Sequence, residues 1–297
     1  MYLLFVRIQK KVRVKHVLPV AGRNFALTIP ERLHPILYPH FEPFSLRENI
    51  PYDTVFTAEY TSRLPSFKGA VPRDNLYYRE KSSDIFSLSD HRFELEVNLD
   101  RKEAFLSLIP DNSDEAALVF NAFKWFITFI TIFDGNLPMH SSLVADTDGG
   151  KLFCGESGKG KSTISTLIAQ TVPSSVRGSD ELNIISPQEP MQVYPTPFIS
   201  SGGKGILTEP VVLRHVFFLE HAPRHRVESI SATRIFSRLL SNVYHLPGNK
   251  LLTDRMMDTI SVLSRKSSFF NLFFNNDPSI AYFLKTIKGT GYHVYQS

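Results

Sequence analysis

An apolar run, AALVFNAFKWFITFITIF over residues 116–133, interrupts a chain whose earlier segments are short and alternating. Ahead of it, FELEVNL at 93–99 places Phe93, Leu95, Val97 and Leu99 at every second position, the period of a strand with one wet face. Near the start, Val12, Val14 and Val17 among Lys11, Arg13 and Lys15 predict another half-exposed strand, its cationic residues turned to water. Loops marked by Pro43, Pro51, Pro65 and Pro72, and a solvent-facing YREKSSD at 78–84, separate such runs. Residues 1–112 therefore read as a β-rich region, and 113–297 as a separate domain. The apolar run follows Ser113, Asp114 and Glu115 and stops at DGNLP, which predicts a helix over 114–133 with acids at its positive end. Its length approaches the ~20 residues that span a bilayer. Lys124 near its centre would cost about 2.5–3.5 kcal/mol in lipid, so a helix buried in protein and no membrane span is expected.

Beyond that helix the pattern predicts a strand at MHSSLVA (139–145), a turn at DTDGG, a strand at KLFC (151–154) and a helix whose Ile164, Leu167 and Ile168 share one face. VVLRHVFFLE (211–220) reads as a buried strand, and SATRIFSRLLSNVY (231–244) as a helix with Ile235, Leu239 and Val243 aligned. PRHR (223–226) reads as a cationic turn between strand and helix, and SSFFNLFFNN (267–276) as a core strand. Strands alternating with helices make this half α/β.

Composition narrows the partners. The chain has 297 residues, of which 42% are hydrophobic and 21% charged, so it is neither fibrous nor disordered. Net charge is only +4 and the basic residues are spread out, which argues against nucleic acid and suits an acidic ligand equally well. Cys154 is the single cysteine, so no intrachain disulfide forms and a cytoplasmic location is expected. Its neighbours Leu152 and Phe153 predict a buried thiol. The apolar start ends at Arg7, without the long h-region of a secretory signal. His221 and His225 lack ligand partners at zinc spacing.

The chemistry concentrates in LFCGESGKGKSTIS at 152–165. Gly155, Gly160, Lys161 and Ser162 satisfy G-x-x-x-x-G-K-[ST] between a strand and a helix, and the bare pattern arises by chance only about once in a hundred chains of this length. Glycines let backbone N–H groups turn inward around phosphate oxygens. Lys161 neutralises β- and γ-phosphate charge, and Ser162 offers its hydroxyl to Mg²⁺ at the start of a helix whose dipole favours anions. Ser157, Gly158 and Thr163 complete the nucleotide cradle, with Lys159 exposed and within reach of phosphate. Downstream, Asp180 and Glu181 enter an apolar run. Spacing alone leaves two readings: carboxylates that hold Mg²⁺ or accept a hydroxyl proton, or solvated acids at a turn. His140, by its residues alone, is a hydrogen-bonded histidine at a strand start.

HSSLVADTDGGKLFCGESGKGKSTISTLIAQ followed by GSDELNII resembles the catalytic core of the HPr kinase/phosphorylase-like family, whose fold is similar to phosphoenolpyruvate carboxykinase. The likeness covers roughly 134–245. It implies an α/β P-loop kinase core behind the β-rich N-terminal region, and ATP- and Mg²⁺-dependent transfer of a phosphoryl group to a serine hydroxyl. Asp180 matches the family's catalytic acid and would act as general base, Glu181 is the second of the pair, and His140 matches a histidine near the phosphates. Catalysis would then rest on Asp180, His140 and Lys161, and the metal on Ser162, Asp180 and Glu181. TPFISSGGKGIL (196–207) falls where relatives carry a flexible loop near the site; Gly202, Gly203 and Gly205 around Lys204 suit a closing loop or an ordinary hairpin tip. The pair is Asp-Glu where relatives carry Asp-Asp, and the Arg-Gly-x-Gly segment of HPr-specific enzymes is missing. The implied acceptor is therefore a serine-bearing protein, peptide or free serine, with a homo-oligomer left open. Alternatives of other classes are a non-catalytic ATP-binding sensor and a carboxykinase-like small-molecule enzyme.

Overall fold

Every second residue of FELEVN is buried, and this strand is one of eight in a mixed sheet of the N-terminal half. The computed structural model describes residues 13–45, 50–64, 71–73, 76–110, 114–199, 205–245, 248–266, 268–287 and 295–296. Lys11, Val12, Pro65, Ser113, Gly202, Gly203 and Lys204 lie outside them. The strands are β1 (Arg13–Val20), β2 (Arg23–Pro30), β3 (Thr54–Tyr60), β4 (Val71–Arg73), β5 (Leu76–Glu80), β6 (Ile85–Ser89), β7 (Phe93–Asn98) and β8 (Glu103–Leu108). They lie in the order β1-β2-β3-β8-β7-β6-β5-β4, with β3 parallel to both neighbours and the β5-to-β8 meander antiparallel. Helix α1 (His34–Phe41) forms despite two prolines in HPILYPHF; one of them occupies its first turn, where no N–H is needed.

The long apolar run is α2 (Glu115–Phe133). It is long and apolar enough to cross a membrane, yet 61% of its most apolar window is buried in protein, Lys124 included. Two compact units divide the chain: Met1–Pro19 with Arg23–Phe126, and Val20–Gly22 with Ile127–Ser297. The division falls inside α2, after Phe126. In the first unit α2 supplies an aromatic centre: the Phe123 ring meets Phe56 at 5.2 Å, Phe41 at 5.8 Å and Phe25 at 6.2 Å between centroids.

The second unit contains β9 (Leu137–Asp146), β10 (Gly149–Cys154), α3 (Lys161–Thr171), β11 (Val176–Arg177), β12 (Leu182–Ser186), β13 (Gln192–Pro195), β14 (Val211–His221), β15 (Arg226–Ser229), α4 (Ala232–Asn242), α5 (Lys250–Leu263), β16 (Phe269–Phe274), α6 (Ser279–Thr286) and β17 (Tyr295–Gln296). The strand order is β10-β9-β12-β13-β14-β16-β15-β17, and β10 also pairs with β14, so β10, β9, β12, β13 and β14 close into a ring. β10, β14 and β16 are parallel, which brings their C-terminal ends to one edge. In open α/β sheets that edge is where ligands bind.

Four local expectations change in the structure. Lys15 is exposed as expected, but Val17 shares its half-exposed face and His16, Leu18 and Val20 take the buried positions of β1. Tyr78 is 4% exposed in β5, so of YREKSSD only Glu80 to Ser83 stand fully exposed. Helix α4 ends at Asn242, because Val243 turns extended and pairs with Met139 instead of continuing the apolar stripe. PRHR joins two strands, β14 and β15, and Arg226 already belongs to the second.

Phe123 is fully buried among three other rings. Phe123→Ala is expected to lower the unfolding free energy by about 3–5 kcal/mol, measured by denaturant titration.

Candidate functional site

Strand β10 ends at Cys154, whose side chain is fully buried; burial pushes its thiol up to about 12, against the opposing pull of Lys161, so it stays protonated. The chain then turns through GESGKG into α3. Gly160 caps that helix at φ 86°, a left-handed conformation, and a Cβ there would lie 3.0 Å from Phe274 Cζ. Only glycine meets both demands. Helix α3 is fixed beneath the loop by Ile164 and Ile168, which pack with Val144, Phe153, Phe217 and Leu219; Leu167 covers the margin of that cluster. Ser162 and Thr163 stand exposed at its first turn, where helical N–H groups have no intrahelical partner.

Lys161 is 7% exposed, and its Nζ donates to the carbonyls of Gly155 at 2.7 Å and Glu156 at 3.1 Å. Burial lowers its pKa. The loop thus folds around its own cation. Lys159, expected in solvent, is two-thirds buried and pairs with Glu220 Oε2 at 2.9 Å, while Arg238 of α4 takes Glu220 Oε1 at 2.7 Å. Burial alone would raise the Glu220 carboxyl, but these two donors outweigh it and hold it below its ordinary value.

The acidic turn lies along the opposite edge of β9. Gly178 N–H donates to Leu143 O at 2.9 Å, Leu143 N–H to Ser179 O at 2.9 Å, and Ser141 N–H to Glu181 O at 3.3 Å. A Cβ at Gly178 would stand 2.8 Å from the Leu143 side chain, so glycine permits this close approach. Ser179 Oγ donates to Phe198 O at 2.6 Å and accepts from Leu182 N–H at 3.1 Å, which fixes the turn. On the other edge of β9, Cys154 pairs with the same Ser141. The root of the glycine loop and the acidic pair are therefore two strand spacings apart, about 10 Å.

Asp180 is not a solvated acid. Its side chain is 1% exposed, with Arg177 Nη2 at 3.5 Å from Oδ2. Glu181 is half-buried and lies 3.5 Å from the Tyr244 hydroxyl, which in turn meets His140 Nδ1 at 2.8 Å. Burial, and then the Glu181 charge, raise the Tyr244 phenol above its ordinary pKa, so it remains a donor at neutral pH. Tyr244 is held there by its backbone N–H to Pro138 O at 2.9 Å. The segment 196–207 returns to the same turn: Phe198 accepts from Ser179, and Leu207 N–H donates to Arg177 O at 2.7 Å. Gly205 takes φ 77°.

The fold thus gathers two clusters on either side of β9. Gly155, Ser157, Gly158, Lys159, Gly160, Lys161, Ser162 and Thr163 form the first, and His140, Asp180 and Glu181 the second. Tyr244, Glu220 and Arg238 escaped the sequence reading. Glu220 did carry a signal, an acid ending an apolar run, whereas Tyr244 sat inside a helical pattern that the chain abandons. Among the described residues no three His, Cys, Asp or Glu side chains gather as a metal group. No protein-family model matches the chain, and no curated protein matches it.

Gly160→Ala forces strain of about 1–3 kcal/mol onto the helix cap and is expected to lower the melting temperature, read by calorimetry. For Glu220, a carboxyl depressed in the folded state stabilises fully above its unfolded pKa near 4.5, and that stabilisation is lost as pH falls through the lower folded value. Wild type should therefore exceed Glu220→Gln by about 1 kcal/mol at pH 7, and the gap should close in acid, measured by chemical unfolding across pH.

Proposed function

We propose that the C-terminal unit is a P-loop kinase core of the HPr kinase and carboxykinase-like type that transfers the γ-phosphoryl group of ATP to a serine hydroxyl. The observation that carries this reading is Asp180, a buried carboxylate on the turn that shares β9 with the root of the glycine loop. A loop that only senses nucleotide needs no buried base beside it. Gly160, whose Cβ would collide with Phe274, and Lys161, buried against two carbonyls, support a cradle shaped for phosphate.

In this reading Lys161 exchanges the Gly155 and Glu156 carbonyls for phosphate oxygens, and loop N–H groups take the remaining charge. Ser162, Asp180 and Glu181 would hold Mg²⁺, which supplies neutralisation of the phosphate charge. Asp180 accepts the proton of the serine hydroxyl as that oxygen bonds to phosphorus and the bond to the β-phosphate oxygen breaks, leaving ADP. Arg177 Nη2 stands 3.5 Å from Asp180 Oδ2 and helps hold the carboxylate in place. His140 and Tyr244 orient Glu181. Phe198 and Leu207, each hydrogen-bonded to the acidic turn, stand where an acceptor would approach it.

The test is Mg²⁺-dependent consumption of labelled ATP, with and without free serine and serine-bearing peptides. Lys161→Ala is expected to weaken ATP binding about 30-fold or more, the scale of 2–5 kcal/mol for a truncated buried charge partner. Asp180→Asn is expected to slow transfer by about 10²–10⁴-fold, well beyond any loss of Mg²⁺-dependent ATP affinity. ATP binding without transfer to any acceptor would favour the sensor reading.

A further inference from the structure

A cleft of about 620 Å³ opens beside the glycine loop, between α4 and the ends of β14, β15 and β16. This volume falls within the range of small-molecule sites. Glu220 and His221 come from β14, Glu228 from β15, Asn271 and Phe273 from β16, and Arg238 from α4. The cleft adjoins the loop at two points. Glu220 holds Lys159, and His221 Cε1 lies 3.5 Å from where a Cβ on Gly160 would stand.

Its two carboxylates are matched: Glu220 is held by Lys159 and Arg238, and Glu228 by Arg226 at 2.8 Å, while Arg234 of α4 also lines the cleft. Asn271 is different. It is 6% exposed, and its amide oxygen is buried without a hydrogen-bond partner. Such an acceptor is costly unless something donates to it, and the broad χ2 torsion of Asn lets the amide turn toward the cleft. Phe273 supplies the apolar wall, its ring backed by the Arg226 guanidinium at 3.9 Å from the centroid.

Direction follows from strand order. The acidic pair lies past β9 on one side of β10, and the cleft lies past β14 on the other. A nucleotide whose phosphates sit on the loop, with its γ end toward Asp180, carries its nucleoside to the β14–β16 side. We propose that this cleft receives the adenine of the nucleotide, with the Asn271 amide reading the exocyclic amine and the adjacent ring nitrogen. An amide paired with an amine and a ring acceptor is the arrangement by which asparagine recognises adenine. The inference rests on the phosphate-loop reading, and Glu220 is then the joint between base site and loop.

Calorimetric binding of ATP, inosine triphosphate and inorganic tripolyphosphate, each with Mg²⁺, tests it on the full chain. ATP should bind about tenfold more tightly than inosine triphosphate, which carries a carbonyl in place of the amine. Asn271→Ala should weaken ATP about tenfold and leave tripolyphosphate unchanged, the latter also reporting that the variant is folded. Equal affinity for ATP and inosine triphosphate, or a loss shared by ATP and tripolyphosphate, overturns the adenine assignment. If neither ATP nor tripolyphosphate binds the wild type, the phosphate-loop reading fails and this one falls with it.

Discussion

Strand β9 is hydrogen-bonded along both edges, and the candidate site depends on that double pairing. One edge holds β10, whose last residue launches the glycine loop; the other holds the 178–182 turn, which carries Asp180 and Glu181. A strand spacing of about 4.8 Å per step fixes the separation of the two clusters without any long side chain having to span it. Beyond the end of β10, Val243 and Tyr244 pair with β9 and bring a phenol to His140. Closure of β10, β9, β12, β13 and β14 into a ring leaves β9 no freedom to slide, because slipping one residue would break both ladders.

The charges divide by how they are compensated. Lys161 is buried on carbonyl dipoles, a partner set that phosphate oxygens can replace. Asp180 has an arginine nearby, while Glu220 binds two cations at once and links the loop to α4. A partly exposed ion pair adds little to stability, because screening and desolvation offset most of its attraction. Such pairs therefore fix where the loop sits more than they add to the stability of the fold. Lys159 and Glu220 illustrate this, since their contact joins a turn to the end of a parallel strand.

The local elements were largely legible in the residues. Alternation in FELEVN, the apolar run of α2, the hairpin at DTDGG and the strand–loop–helix around GESGKGKS all follow from period, breakers and glycine placement, which act over a few positions. Failures came where a long-range pairing overrode a local pattern. Val243 fits the stripe of α4 but bridges to Met139, and Tyr78 looks polar by its neighbours yet fills a core position. His16 occupies a buried site in β1 against rings of His34, Tyr38 and Phe41 that sequence alone does not bring near.

The amino-acid pattern alone specifies a strand that runs into a glycine-rich turn and a helix bearing a lysine and a serine; the left-handed cap that Gly160 then takes is strain-free only for glycine. The pattern also determined that two acids follow near the head of an apolar strand. Only the tertiary structure decided that Asp180 is buried beside Arg177, that Tyr244 joins His140 to the Glu181 region, and that Glu220 clasps Lys159. Those relations depend on which strands become neighbours. Strand neighbours are chosen by the global burial of apolar faces, a property of the whole chain that no short window of residues contains.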